Sequence, residues 1–85
     1  KRIGNVETAY IVGDYARGID SGLIDIVLIG KINNSELNRI AERRGKDLSR
    51  KIRHLVVTEQ ECCDLWHQLD LNNALLIWGK PIVKK

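Results

Sequence analysis

One uninterrupted apolar run limits the folds that this chain can adopt. The residues from Leu23 to Ile29 are all apolar except Asp25. A strand with one face in water alternates apolar and polar side chains, whereas a strand covered on both faces does not. The run therefore predicts a central strand with protein packed on both of its faces. Asp25 is the lone polar residue in it, which marks Asp25 as a candidate functional side chain.

The segment before this strand predicts a second strand followed by a tight turn. Residues 6–12 are rich in β-branched and aromatic side chains, and Gly13 ends them. Asp14 is expected to cap one helical turn over residues 15–17, which Gly18 closes.

The segment after the apolar run predicts an amphipathic helix. Asn33 and Glu36 have the spacing of a capping box and open a helix that extends to about residue 50. Gly45 inside this helix costs about 1 kcal/mol relative to alanine, so the helix is expected to depend on docking to the sheet. Its apolar positions follow a helical period at Leu37, Ile40, Ala41 and Leu48.

The remaining signals predict a third strand, a short helix and a fourth strand. Residues 52–57 read as a strand, Thr58 and Glu61 form a second capping box, and residues 74–78 form the last strand. One face of the short helix is expected to carry Cys62, Leu65, Trp66 and Leu69, with Trp66 and Trp78 as core or core-edge residues. This element order predicts an α/β (α+β) domain with a mixed sheet of about four strands and two main helices.

The length and ends of the sequence predict a single domain from a longer polypeptide. The 85 residues are enough for one domain at most, and the chain begins with Lys1 and not with methionine. No run of about 18 apolar residues and no secretory leader is present, which predicts a soluble cytoplasmic protein without a membrane partner. Cys62 and Cys63 are adjacent, a spacing that favours reduced thiols over a disulfide or a zinc site.

The formal net charge of +3 comes largely from one part of the chain. A run of this kind is typical of a solvated helix face, and contact with nucleic acid or another polyanion is the alternative. The basic residues are Arg43, Arg44, Lys46, Arg50, Lys51 and Arg53, together with Lys84 and Lys85.

The segment from Gly13 to Leu28 resembles a known signature. Minimal nucleotidyltransferases of the DNA polymerase β-like superfamily carry Gly-Ser-x-Ala-Arg-Gly, six variable residues and then Asp-x-Asp. The matching residues, without a gap, are Gly13, Ala16, Arg17, Gly18 and Asp25. The resemblance implies that family's small α/β core, a phosphate-binding turn at the signature glycine and serine, and acidic residues that hold magnesium ions.

The sequence departs from this signature at three places that matter for catalysis. Val27 stands at the second acidic position, and a valine has no oxygen to offer a hard cation. The third acid is expected near residues 52–55, which contain none, and Asp14 replaces the serine of the phosphate turn. Asp25 is therefore the single retained candidate for catalysis. These departures predict a domain that is degenerate in its metal-binding carboxylates and has no metal cofactor.

The first functional hypothesis is that this degenerate domain binds a ligand or takes part in assembly. Its candidate ligand-binding residues are Gly13, Asp14, Tyr15 and Arg17, joined by Arg53 and His54. A nucleotide, another anionic ligand or a neighbouring chain, including a second copy, are the expected partners. The resemblance further implies a bacterial transcriptional regulator that contacts DNA only through an upstream winged-helix domain.

Two other hypotheses stay open from the sequence. In one, the domain is an active Mg²⁺-dependent enzyme that transfers a nucleoside monophosphate to a protein or small-molecule acceptor, with Asp14, Asp20 and Asp25 as metal ligands. In the other, the domain is purely structural, and Asp25 is bonded to the Gly13 turn or paired with Arg17. No serine-histidine-aspartate grouping, Walker-type loop or Cys/His metal spacing points to another enzyme class.

Overall fold

The computed structural model describes residues 3–83, so Lys1, Arg2, Lys84 and Lys85 lie outside the described residues. Two short 3-10 turns lie between the larger elements, at Tyr15–Arg17 and at Leu71–Asn73. The strands are β1 (Gly4–Val12), β2 (Leu23–Ile32), β3 (Lys51–Val57) and β4 (Leu75–Gly79), and the α-helices are α1 (Asn34–Leu48) and α2 (Glu59–Asp64).

The four strands form one mixed sheet in the order β3-β2-β1-β4. The strand β1 pairs antiparallel with both β2 and β4, whereas β2 and β3 are parallel. Parallel neighbours need a crossover connection, and α1 provides it between β2 and β3. The mixed four-stranded sheet and the two helices confirm the fold class predicted from the sequence.

The core lies on both faces of the sheet, as the apolar run in β2 predicts. Neighbouring residues of a strand point to opposite faces, so Val27 and Leu28 enter different clusters. The cluster on the α1 face contains Ala9, Leu28 and Leu37. The cluster on the α2 face contains Tyr10, Val12, Val27, Ile29, Val57, Cys62, Leu71 and Ile82. Asp25 lies two residues before Val27 and therefore points to the α2 face.

The first two strands are longer than the sequence predicts. The predicted run ends at Ile29, yet β2 continues through Gly30 to Ile32. The backbone at Gly30 has φ 144°, and a Cβ there would lie 2.3 Å from the carbonyl oxygen of Asn5. This glycine therefore permits a close approach of β1 at a bulge in the β1–β2 pairing, and it does not end the strand.

The helix α1 confirms most of its prediction. The side chain of Asn33 accepts a hydrogen bond from the backbone N–H of Glu36, and Leu37 and Ala41 are buried. The helix ends at Leu48, which is 49% exposed, so its predicted place on the apolar face is wrong. Ser49 in the left-handed conformation ends the helix directly after Leu48.

The helix α2 is shorter than its apolar pattern predicts. Its capping box between Thr58 and Glu61 is present, and Cys62 and Cys63 are free thiols within it. Burial raises the pKa of the Cys62 thiol, which keeps it protonated at neutral pH. The helix ends at Asp64, so the apolar residues that follow lie in turns.

The two tryptophans differ in their environment. Trp66 is half-buried against the α2-face cluster, and its indole N–H donates to the side chain of Asn72 at 2.9 Å. Trp78 is 62% exposed and lines a groove with Ala9 and Leu28, so it lies at the edge of the core and not within it. Its indole N–H donates to the carbonyl oxygen of Val6 at 3.1 Å, which holds the ring along the outer part of the sheet.

Replacement of Gly45 by alanine tests how α1 docks on the sheet. Helix propensity alone would make Gly45→Ala stabilising by about 1 kcal/mol. A Cβ at this position would lie 2.6 Å from the carbonyl oxygen of Arg50. We therefore expect the variant to lower the free energy of unfolding by about 1–3 kcal/mol, measured by urea denaturation. Asn38→Ala, at an exposed position of α1, is the control and should not destabilise; a more stable Gly45→Ala would contradict this account.

Candidate functional site

The turn after β1 has the backbone that the signature predicts. Gly13 adopts φ 76°, the 3-10 turn follows, and Gly18 closes it at φ 83°. The side chain of Asp14 does not cap this turn, contrary to the prediction. Its Oδ1 atom instead accepts a hydrogen bond from Arg17 Nη2 at 2.7 Å. A guanidinium is a stronger partner for a carboxylate than a neutral backbone amide, which accounts for the difference.

The sheet register brings Asp25 against this turn. Asp25 lies opposite Val12, the last residue of β1. A Cβ at Gly13 would lie 3.3 Å from Asp25 Oδ2, so the absence of a side chain at Gly13 leaves room for the carboxylate. The glycine and the aspartate of the signature therefore meet in one site, although eleven residues separate them.

The partner of Asp25 is Arg53 of the neighbouring strand, and not Arg17. Arg53 is in register with Asp25 across the parallel β2–β3 pair. It donates from Nε to Oδ1 at 2.7 Å and from Nη2 to Oδ2 at 3.0 Å, which is the bidentate geometry of a strong ion pair. The hydrogen bond to Asp25 raises the pKa of Arg53. A guanidinium thus lies beside Asp25 on the strand where the resemblance places a third acid.

Arg17 joins the turn to a distant loop. One of its terminal nitrogens binds Asp14 and the other binds Asp70, which adopts the left-handed conformation just before the second 3-10 turn. The other carboxylate oxygen of Asp70 accepts from Asn73 at 2.9 Å. Asp70 is not among the candidate functional residues predicted from the sequence. Its role as a partner of Arg17 has no local signal, since 53 positions separate the two.

A pocket of about 280 Å³ lies beside the Asp25–Arg53 pair. Its walls are largely apolar, and its charged side chains are two carboxylates and one guanidinium. Gly13 lines the pocket, whereas Asp14, Tyr15 and Arg17 lie outside it. Its lining residues are Val12, Gly13, Asp25, Ile26, Val27, Arg53, His54, Leu55, Gln68, Leu69 and Asp70.

Asp20, the remaining candidate metal ligand, lies in the loop between the first 3-10 turn and β2. It accepts hydrogen bonds from Arg50 Nε at 3.1 Å and from the backbone N–H of Gly22 at 3.1 Å. The hydrogen bond from Arg50 is the main cause that lowers the pKa of Asp20. Each of the three candidate aspartates therefore has its own arginine, in the pairs Asp14–Arg17, Asp20–Arg50 and Asp25–Arg53.

These side chains do not fit the two-metal site that the resemblance implies. Asp25 is the one acid in β2, Val27 is 2% exposed within the core, and Arg53 is cationic. Within residues 3–83, no group of three or more His, Cys, Asp or Glu side chains is arranged to hold a metal ion. A magnesium ion needs several oxygen ligands in near-octahedral geometry, which one carboxylate does not supply.

The predicted basic run is divided between two surfaces. Arg53 belongs to the pocket, while Lys46, Arg50 and Lys51 line a wide groove between α1 and β3. Arg43 and Arg44 are exposed on α1, and the predicted contribution of Lys84 and Lys85 lies outside the described residues. In the part of the chain that the structure describes, no helix is long and apolar enough to cross a membrane.

Comparison with known proteins supports the fold. No family model and no curated protein matches this chain. Two crystal structures of mutants of the toxin-antitoxin MntA-HpeT are similar, one with a tyrosine-to-alanine change and one with two aspartates changed to glutamate. They have TM-scores of 0.66 and 0.64 at 17% and 16% sequence identity, and the similarity covers 93% and 92% of this chain. This chain spans 64% of the length of each matched chain, and it shares their nucleotidyltransferase-like fold.

The Asp20–Arg50 pair predicts that the stability of the fold decreases at acidic pH. Because the folded-state pKa of Asp20 is lowered, the pair stabilises the fold above the ordinary aspartate pKa, and this contribution is lost as the pH falls through the lowered pKa. We expect Asp20→Asn to be less stable than the wild type in urea at about pH 7 and to approach it at about pH 2.

A matched control is Asp47→Asn. The carboxylate of Asp47 lies 3.9 Å from Arg44 on the exposed face of α1, so this variant should behave like the wild type at both pH values. A stability difference for Asp20→Asn that stays constant or grows on acidification would contradict the assignment.

Proposed function

We propose that this chain is a catalytically degenerate nucleotidyltransferase-like domain that acts in assembly or ligand binding within a transcriptional regulator. The observation that carries this proposal is the bidentate pair between Asp25 and Arg53. In this arrangement the guanidinium occupies the one retained carboxylate, which an active relative would use to hold a metal ion. The domain keeps the architecture and has lost the carboxylate cluster that nucleotidyl transfer needs.

The ion pairs around the turn favour assembly over the binding of a triphosphate. Arg17 already binds Asp14 and Asp70, so a phosphate would have to displace two carboxylates to reach it. The pocket of about 280 Å³ is at the lower limit of the size range of small-molecule sites. Its two carboxylates also repel an anion. A small ligand with an apolar part fits this lining better than a nucleoside triphosphate does.

The active-enzyme alternative gains no support from the site. It would need Asp14, Asp20 and Asp25 to leave three arginines and converge on one ion. One of the similar structures carries changes at two aspartates two residues apart, whereas Asp25 in this chain is followed at that spacing by Val27. The proposed place of the domain behind a winged-helix domain is tested by whether a helix-turn-helix segment is encoded ahead of Lys1.

Restoration of the acidic positions tests the proposal. The wild type and the double variant Val27→Asp, Arg53→Asp are compared. Binding of Mn²⁺ is measured by calorimetry, and binding of the diamagnetic Mg²⁺ is measured by amide NMR shifts. We expect the wild type to show no saturable shift at Asp25. The double variant places three carboxylates on adjacent strands and is expected to gain saturable metal binding.

The matched control is Val27→Asn, Arg53→Asn. Its asparagine side chains have the size of aspartate without the charge, so this variant should show no saturable metal binding. Should the double variants not fold because Val27 is buried, Arg53→Asp and Arg53→Asn provide the same comparison at an exposed position. Saturable Mg²⁺ shifts at both Asp14 and Asp25 of the wild type would overturn the proposal.

A further inference from the structure

The outer strand β4 is apolar and open to solvent. It is an edge strand, since the order of the sheet is β3-β2-β1-β4. All five of its residues are exposed, and none carries a charge. Its four large side chains, exposed between 41% and 62%, are Leu75, Leu76, Ile77 and Trp78. A contiguous apolar edge of this kind marks a site of association.

Charged side chains protect the opposite edge of the sheet, β3, against pairing with another strand, and β4 has no such side chains. The strand β3 carries Lys51 and Arg53, and charged side chains on an edge strand oppose pairing with another sheet. In β4 the protection is limited to Lys80 and Pro81 beyond its end, which restrict pairing to a short stretch. The contrast between the two edges points to β4 as the one that is covered in the working protein.

The apolar side chains of β4 lie on both faces of the sheet. Cross-strand partners share a face. Trp78 pairs with Ala9 and so lies on the α1 face, whereas Leu76 pairs with Tyr10 and lies on the α2 face. A helix packed on one face would leave the other face and the backbone edge in water. A further strand would satisfy the backbone edge and extend both faces at once.

We propose that β4 pairs with β4 of a second copy of this chain and joins the two sheets into one continuous sheet. The partner strand has to be uncharged, apolar on both faces and free along one edge. Among residues 3–83, β4 itself is the strand that meets all three conditions, because β1 and β2 are internal and β3 is charged. A two-fold axis through the contact makes the same surface serve both copies.

Two details of β4 favour this arrangement. Ile77 is the extra residue of a bulge in the β1–β4 pairing, so it is not committed to β1. A groove of about 390 Å³ lies beside Trp78 on the α1 face, with Ile3, Val6, Ala9 and Leu28 in its lining. A two-fold axis perpendicular to the sheet keeps the faces aligned, so the partner's apolar side chains extend this same surface. The pairing goes beyond the proposed function, since a catalytic domain could associate in the same manner.

Sedimentation of the 85-residue chain from micromolar to millimolar concentration tests the pairing. We expect a reversible monomer–dimer equilibrium, with Ile77→Lys raising the dimer dissociation constant at least about tenfold. Leu55→Lys is the matched control, because Leu55 on the opposite edge strand is 44% exposed against 49% for Ile77. This control is expected to leave the equilibrium unchanged. Circular dichroism verifies that both variants fold.

Hydrogen exchange of the wild type gives a second readout that needs no variant. Backbone amides of β4 should become more protected as the concentration rises, and those of β3 should not. A monomer at every concentration, a dimer that survives Ile77→Lys, or an equal effect of Leu55→Lys would overturn the proposal. The monomer result would assign β4 to a different polypeptide segment or partner.

Discussion

A carboxylate in the central strand of a small sheet needs a counter-charge, and the site is organised around how Asp25 obtains one. Arg53 supplies it from the adjacent parallel strand, with two hydrogen bonds at 2.7 and 3.0 Å. Parallel register places the two side chains side by side, so the pair depends on the β2–β3 crossover through α1. Gly13 completes the arrangement, because its missing side chain leaves space for the carboxylate against the turn.

The fold was largely predictable because its determinants are local. The apolar run of β2 predicted the two-faced sheet, and the side chains of Asn33 and Thr58 predicted both helix starts. The errors arose where tertiary contacts override local signals. Gly30 allows a close approach of β1 and does not end β2, and Leu48 is exposed despite its apolar character. Solvent exposure of an edge strand depends on strand order, which no local pattern encodes.

The site was predictable in outline and not in its electrostatics. The structural hypothesis placed Asp25 either against the Gly13 turn or beside Arg17, and the absence of an acid near residue 53 indicated a lost metal ligand. What the sequence could not show is the pairing of each aspartate with a specific arginine. Arg53 was predicted as a member of a basic run and as a candidate ligand-binding residue, and Asp70 was not singled out. Such pairs form between residues far apart in the chain, and their partners follow from register and loop geometry.

The central claim is that a guanidinium, and not a divalent ion, balances the charge of Asp25. The NMR signal of the Arg53 side-chain Nε–H tests this claim directly, since that group donates a hydrogen bond to Asp25 Oδ1. The account predicts a resolved signal, slow to exchange with solvent, that is lost in Asp25→Asn and unchanged when MgCl₂ is added. Displacement of the signal by magnesium, with a saturable dependence on its concentration, would contradict the account.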